Sequence, residues 1–296
     1  MNFSYPFSGL GVALVTPFDN QGGIDWKALS SIVENLISNG VDFLCVLGTT
    51  AETPTLTDEE RIQVLKFVIK QNAGRVPIMA GCSSNCTATA VEQIKHYQFD
   101  GIDGILSAVP FYNKPSQEGI YRHFREIAKA GHKPIILYNV PGRTGVNMTA
   151  ATALKIAREC PNVIGIKEAS GNMDQIREII AGAPESFKLI IGDDSLAMDA
   201  IKAGAVGVIS VIGNAIPGTY GKLIHHCMDN SFTQADAIQQ KLSPLYSLLF
   251  KEGSPSGVKA LMASRGMLDN CLRLPLVPVS DEFNKVIVNS FEGIDG

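Results

Sequence analysis

Eight short apolar segments recur along the chain, and each ends in small, polar or proline residues. They are rich in Val, Ile and Leu, and they do not alternate with polar residues. Such runs are typical of strands that are buried on both faces, as in parallel sheets. The segments begin at Leu10, Phe43, Pro77, Gly104, Pro134, Val163, Lys188 and Val206. We therefore predict eight strands of a buried parallel sheet.

Helical patterns lie between most of these strands. One opens at Thr57 with Glu60 three residues later, which is a capping box, and another ends at Gly40, a residue suited to the position after a helix. Repeated alternation of strand and helix predicts a (β/α)8 barrel, the TIM barrel of the α/β class. An open, doubly wound sheet is the alternative. It usually shows a GxGxxG turn after the first strand, where this chain has TPFDNQGG.

The chain continues beyond the eighth predicted strand and its helix. Residues 226–296 contain two amphipathic helical stretches, 232–250 and 256–267, with no strand between them. No low-complexity segment or linker separates them from the preceding part. We predict a catalytic barrel over residues 1–225 and a small C-terminal helical extension over residues 226–296.

The composition excludes several classes of function. Of 296 residues, 45% are hydrophobic and 18% are charged, and the net charge is -4 without any basic run, so nucleic-acid binding has little support. We expect no membrane partner, because no apolar run reaches the length of a membrane span. The N-terminus lacks the features of a secretory signal. Together with six irregularly spaced cysteines, this predicts a cytoplasmic protein with reduced thiols.

The sixth strand, VIGIKEAS at residues 163–170, carries Lys167 where the pattern calls for an apolar residue. Apolar surroundings disfavour the ammonium form of a lysine, and a neutral amine is a nucleophile. The ordinary structural interpretation is a lysine near the strand end that reaches water or pairs with Glu168. The residues at the other strand ends bear on this choice.

Other strand ends carry a set of groups that suits a carbonyl acid. In this architecture the chemistry lies at the carboxyl ends of the strands. Taken singly, each of these residues has an ordinary role in capping, packing or a turn. Together with Lys167 they offer an amine for a ketone, phenols for proton transfer and a guanidinium for a carboxylate. They are Thr49, Thr50, Tyr112, Tyr138 and Arg143.

The segments GTTAE, YNVPGRTG and GIKEASGN closely resemble the signatures of the dihydrodipicolinate synthase family. This family belongs to the Schiff-base aldolase superfamily, which includes N-acetylneuraminate lyase. The resemblance runs through the whole chain, including CLRLPLVPVS near the C-terminus. Arg143 favours the synthases over the sugar-acid lyases. Ala51 replaces the usual glycine of GTTGE, and we expect a slightly tighter turn without lost chemistry.

The resemblance implies an activity, a set of roles and an assembly. Pyruvate and aspartate 4-semialdehyde would condense to 4-hydroxy-tetrahydrodipicolinate, in lysine and diaminopimelate biosynthesis, without a metal or an organic cofactor. The chain would form a homo-oligomer, either a dimer or a dimer of dimers. The implied catalytic residues are Lys167 for the Schiff base, Tyr138 for proton transfer, and Thr49 with Tyr112 for a hydroxyl relay, Tyr112 coming from a neighbouring subunit. The implied substrate-binding residues are Thr50, Ile209 and Gly192 for pyruvate and Arg143 for the semialdehyde carboxylate.

Three other functions remain open from the sequence. One is a pyruvate-dependent sugar-acid lyase of the same superfamily, which Arg143 disfavours. Another is a non-catalytic barrel that binds a 2-oxo acid. The third is a metal-dependent aldolase, although Cys82 and Cys86 have no second cysteine or histidine pair at the spacing of a zinc site.

The resemblance also bears on regulation, because many synthases of the family are inhibited by L-lysine in a cleft between subunits. Members that respond to L-lysine have two histidines, a glutamate and a tyrosine there. This chain has Asp58 and Arg61 in place of the histidines, Thr89 in place of the glutamate and Phe111 in place of the tyrosine, and it retains Asn85. Without the glutamate a cationic ligand lacks its carboxylate partner. We therefore predict weak or absent inhibition by L-lysine.

Overall fold

The structure is a computed structural model that describes residues 5–97 and 100–294. Eight parallel strands form a closed barrel in sequence order, which confirms the predicted fold class. Seven strands fall within their predicted apolar segments, and β1 begins one residue before its segment. The strands are β1 (Gly9–Ala13), β2 (Phe43–Val46), β3 (Ile78–Gly81), β4 (Gly104–Ala108), β5 (Ile135–Asn139), β6 (Val163–Glu168), β7 (Lys188–Ile191) and β8 (Gly207–Ser210).

Helices alternate with the strands and continue after β8. Those among the strands are α1 (Trp26–Ser38), α2 (Asp58–Asn72), α3 (Thr87–His96), α4 (Gln117–Lys129), α5 (Pro141–Thr144), α6 (Ala150–Glu159), α7 (Met173–Gly182) and α8 (Ala197–Lys202). Those after β8 are α9 (Pro217–Met228), α10 (Phe232–Tyr246), α11 (Leu248–Lys251), α12 (Ser256–Ser264) and α13 (Asp281–Ser290). Across residues 5–97 and 100–294, no helix combines the length and the apolar character needed to cross a membrane.

The predicted helix signals act as expected. At the start of α2 the Thr57 hydroxyl accepts from the Glu60 amide at 3.2 Å, and the Glu60 carboxylate accepts from the Thr57 amide at 3.0 Å. These two bonds satisfy amides that would otherwise lack partners in the first turn. Gly40 follows α1 with φ +78°, a conformation that glycine adopts without steric cost.

The chain divides into two compact units. One contains Pro77–Ile209, and the other contains Gly9–Val76 and the chain from Ser210 onward. The helices predicted for the extension are present as α10, α11 and α12, whereas α13 was not predicted. The division at residue 225 between a catalytic barrel and an extension stays a prediction.

In the first unit, the register between β5 and β6 decides which side chains lie next to each other. Tyr138 pairs with Lys167, and Asn139 pairs with Glu168 in the following position. Paired residues of neighbouring parallel strands point to the same face, and successive residues point to opposite faces. Tyr138 and Lys167 therefore share one face of the sheet, and Asn139 and Glu168 share the other.

Candidate active site

Lys167 is buried at the carboxyl end of β6. Its side chain is 6% exposed, and its Nζ lies 4.5 Å from the ring centroid of Tyr138, which is 7% exposed. The lysine therefore does not reach into water. Glu168 points to the opposite face, where three N–H groups donate to its carboxylate. The arrangement brings an amine against a phenol in an enclosed environment, which suits nucleophilic attack on a carbonyl with proton transfer at hand.

Gly192, at the end of β7, makes room for this lysine. A Cβ atom at Gly192 would lie 2.7 Å from Cε of Lys167 and 2.9 Å from Cβ of Ala169. Only a glycine therefore leaves space for the extended lysine side chain. Ile209 lies on β8, which pairs with β7 through Ile191 and Val208, and it is fully buried.

Two loops of the same unit carry Tyr112 and Arg143, and a hydrogen bond joins them. The Tyr112 amide donates to the carbonyl of Thr144 at 3.3 Å. Arg143 is exposed in α5, a short helix where the sequence had indicated only a turn. The Tyr112 side chain is 88% exposed, and its backbone has φ +71°. This left-handed conformation is costly for a tyrosine, and such strain is concentrated at functional positions.

In the second unit, Thr49 and Thr50 follow β2 in a tight turn, Thr49–Ala51. Thr49 is exposed and Thr50 is buried. The hydroxyl of Thr53 donates to the carbonyl of Gly48 at 2.9 Å and closes the turn. Ala51 is accommodated within it with 2% of its surface exposed. Glu52 leaves the turn in a left-handed conformation, φ +55°.

A second buried lysine holds Glu52 in place. Lys259, on α12, is fully buried, and its ammonium donates to the Glu52 carboxylate at 2.5 Å and to the carbonyl of Cys271 at 3.0 Å. The amide of Arg273 donates to the other carboxylate oxygen of Glu52 at 3.0 Å. Burial lowers the pKa of Lys259, and the charge of Glu52 opposes that shift. The turn with Thr49 and Thr50 is therefore tied to the C-terminal part of the chain.

Sequence reasoning missed this ion pair. Lys259 and Glu52 are 207 residues apart, and Lys259 sits in a helical stretch with no unusual neighbours. Unlike Lys167, it does not interrupt a strand. The pairing arises from tertiary packing, which a local pattern does not encode.

A closed parallel barrel with a buried lysine at a strand end defines the class of barrel enzymes whose chemistry lies at the carboxyl ends of the strands. Residues 6–292 match the model of the dihydrodipicolinate synthetase family, and the chain belongs to that family. A 4-hydroxy-tetrahydrodipicolinate synthase of Phocaeicola vulgatus is 52% identical over 270 residues, which cover 91% of each chain.

Solved structures agree with this assignment. A chloride-inhibited dihydrodipicolinate synthase from Acinetobacter baumannii, complexed with pyruvate, is 39% identical with a TM-score of 0.94, covering 97% of this chain and 99% of that one. A synthase from Cyanidioschyzon merolae with lysine bound is 37% identical with a TM-score of 0.93, covering 97% and 98%.

Proposed function

We propose that this chain is a 4-hydroxy-tetrahydrodipicolinate synthase, which condenses pyruvate with L-aspartate 4-semialdehyde in lysine and diaminopimelate biosynthesis. One observation carries the proposal. In a chain of this family, Lys167 is buried within β6 with its Nζ 4.5 Å from the Tyr138 ring. That amine is placed for covalent chemistry on a ketone, and the phenol is placed for moving protons.

In the proposed first half of the reaction, Lys167 Nζ attacks C2 of pyruvate, and water leaves to give an iminium ion. The iminium withdraws electrons, so the methyl group loses a proton and an enamine forms. Tyr138 transfers protons to and from the adduct, and a placed acid–base group of this kind gives about 10²- to 10⁴-fold in rate. Thr49 and Tyr112 complete the relay. Thr50 and the backbone at Ile209 and Gly192 hold the pyruvate.

In the proposed second half, the enamine attacks the aldehyde carbon of the semialdehyde, and Arg143 holds the carboxylate of that substrate. A guanidinium fork fits a carboxylate with two parallel hydrogen bonds. The amino group of the semialdehyde then attacks C2, displaces the Lys167 amine and closes the ring. The lysine is released unchanged, so each atom of the product comes from the two substrates.

We propose a homo-oligomer, either a dimer or a dimer of dimers, because Tyr112 is displayed outward. The Tyr112 side chain is 88% exposed on strained backbone, and a neighbouring subunit can use its hydroxyl. We place the enzyme in the cytoplasm. Its six cysteines are free thiols, which fits a reducing compartment.

Product analysis tests the proposed reaction. The purified chain is incubated with pyruvate and either aspartate 4-semialdehyde or N-acetylmannosamine, and the products are identified by mass spectrometry. We expect 4-hydroxy-tetrahydrodipicolinate from the first pair, and we expect a chelator to leave its rate unchanged. Formation of a sugar acid instead would identify a sugar-acid lyase. Binding of pyruvate without either product would indicate a non-catalytic barrel.

Arg143→Ala should spare the pyruvate adduct and damage the condensation. Loss of a charge-assisted hydrogen bond costs about 1.5–3 kcal/mol, which corresponds to roughly 10- to 150-fold in kcat/KM for the semialdehyde. Arg177→Ala is the matched control, because Arg177 is an exposed arginine of the same unit that pairs with Asp174 at 3.1 Å. Steady-state kinetics with each substrate varied will measure both. Unchanged semialdehyde kinetics in Arg143→Ala would return the sugar-acid lyases to consideration.

L-Lysine should inhibit this chain weakly or not at all. Asp58, the acidic group that replaces a histidine of the responsive members, already pairs with Arg61 at 2.9 Å, and Arg61 also donates to the carbonyl of Thr53. The negative charge of Asp58 is thus partly neutralised within the chain. Rates at saturating and limiting pyruvate, with L-lysine up to millimolar concentrations, will check this. Thr89→Glu restores a carboxylate and should strengthen inhibition; strong inhibition of the unmodified enzyme at sub-millimolar L-lysine would contradict the prediction.

A further inference from the structure

A buried carboxylate and amide cluster lies on the face of β5 and β6 opposite to Lys167 and Tyr138. We call it the β5–β6 polar cluster. It consists of Asn139, Asn147, Glu168 and Gln175. Asn139 and Glu168 are fully buried, and Gln175 is 9% exposed. The proposed mechanism uses none of these four side chains.

The hydrogen bonds of Glu168 show that the carboxylate is held as an acceptor. Nδ2 of Asn139 lies 3.0 and 3.2 Å from its two oxygens, Nε2 of Gln175 donates at 3.1 Å, and the amide of Ser170 donates at 2.7 Å. An ionised carboxylate accepts hydrogen bonds only, and these three donors match it. The donors are neutral, so the cluster keeps a buried anion in place with dipoles.

Packing alone does not explain a carboxylate at this position. The register partner of Glu168 on β7 is Ile191, which is fully buried at the same level. An apolar side chain therefore fills the corresponding position on the neighbouring strand. Burying a charge costs free energy that packing does not recover unless its hydrogen bonds are all made. A network that is fully satisfied instead specifies one arrangement of the elements that it joins.

The elements joined here are the two strands that carry the proposed reacting groups. Asn139 directly follows Tyr138, and Glu168 directly follows Lys167, and the two pairs are aligned in register. The bond from Asn139 to Glu168 therefore reinforces, at the carboxyl end of the strands, the offset of β5 against β6 that their backbone pairing sets. The same offset sets the position of the Lys167 amine against the Tyr138 ring.

The cluster also contacts the segment that follows α5, the short helix that carries Arg143. Nδ2 of Asn139 donates to Oδ1 of Asn147 at 2.7 Å, and the amide of Met148 donates to Oδ1 of Asn139 at 2.9 Å. Asn147 in turn donates to Gln175 at 2.8 Å. One amide side chain thus connects β5, β6 and the chain just beyond Arg143.

The geometry points to Glu168 and Asn139 as positioning residues, which hold Lys167 and Tyr138 in the relative placement needed for Schiff-base formation and proton transfer. This inference rests on the proposed function and deepens it. Glu168 and Asn139 lie on the face opposite to Lys167 and Tyr138, and they act through the strand register. Errors of about 1 Å in the placement of reacting groups cost on the order of 10²-fold in rate.

The test compares Glu168→Gln and Asn139→Ala with Asn162→Ala. Glutamine keeps the shape of Glu168 but turns an N–H₂ group toward the donors of Asn139 or Gln175. Asn162 is the matched control, because it is an asparagine just before β6 at the opposite end of that strand, with one hydrogen bond from Nδ2 to the carbonyl of Ala128 at 2.8 Å. Each variant is assayed for melting temperature, for the rate of pyruvate adduct formation trapped with borohydride, and for kcat and KM.

We expect Glu168→Gln and Asn139→Ala to lower the adduct rate and kcat by roughly 10- to 100-fold, with smaller changes in KM for pyruvate. Asn162→Ala should lower the melting temperature while kcat stays within about twofold of the unmodified enzyme, since it removes a bond of the same kind away from the reacting groups. If Asn162→Ala loses as much kcat as Asn139→Ala at equal melting temperature, the cluster only supports folding and the inference is overturned.

A double-mutant cycle adds a measurement that a purely structural role would not change. In a Tyr138→Phe background, the loss caused by Glu168→Gln should shrink severalfold, because the phenol that the cluster places against Lys167 is already missing. Full additivity contradicts the inference.

If Glu168→Gln does not fold, Gln175→Ala takes its place, since it removes one donor and keeps the charge, and we expect a loss of about 3- to 10-fold. Absence of any pyruvate adduct in the unmodified enzyme overturns the proposed function itself, whereas a normal adduct with unaffected variants overturns only this inference.

Discussion

Lys167→Arg should abolish turnover while the barrel stays folded. A guanidinium remains protonated, so it carries a similar charge in the same place but does not act as a nucleophile. Incubation of the unmodified enzyme with pyruvate and borohydride should add one reduced pyruvyl group, mapped by mass spectrometry to the peptide with Lys167. The variant should show neither the adduct nor the product, with an unchanged circular dichroism spectrum.

Lys259 is the internal control for this labelling. It is as deeply buried as Lys167, but its ammonium is paired with Glu52 at 2.5 Å. A paired ammonium is not a nucleophile, so burial alone should not make a lysine reactive here. Labelling of Lys259, or turnover of the substrates by Lys167→Arg, would refute the Schiff-base mechanism.

Lys259→Met should destabilise the fold by about 3–5 kcal/mol, because it leaves the Glu52 carboxylate buried without its counter-charge. The double variant with Glu52→Gln and Lys259→Met should regain much of this loss, since both charges are then absent. Urea denaturation followed by circular dichroism gives the free energies of unfolding.

Arg75→Ala is the matched control for that measurement. Arg75 and Glu34 also lie 2.5 Å apart, but their side chains are 39% and 42% exposed. Water screens such a pair, so its removal should cost far less than removal of the buried one. Equal losses for Lys259→Met and Arg75→Ala would show that burial does not determine the effect.

The strands and most of the helices were predictable from the sequence because their signals are local. The apolar runs marked all eight strands, and the Thr57–Glu60 box marked the start of α2. The helix α13 was missed although its signals are also local, because Ser280 caps its start and Phe283 and Ile287 form its buried face. Contacts between residues far apart in the sequence, such as Glu52 with Lys259, have no local signal at all.

The residues of the candidate site also differ in how far the sequence alone reveals them. Lys167 stood out because a charge interrupted an apolar run, and its burial beside Tyr138 agrees with that interpretation. The role of Glu168 was not evident, because a glutamate after a lysine looks like its ion-pair partner. Only the register of β5 and β6 shows that it faces Asn139 instead.

The pair of Glu52 and Lys259 has a consequence for the order of events during synthesis of the chain. Glu52 leaves the ribosome long before Lys259 and Arg273 exist, so the nascent turn has neither of the partners that hold its carboxylate. A bare carboxylate keeps its hydration rather than entering an apolar interior. The turn with Thr49 and Thr50 can therefore bury its Glu52 carboxylate only after translation has passed residue 273.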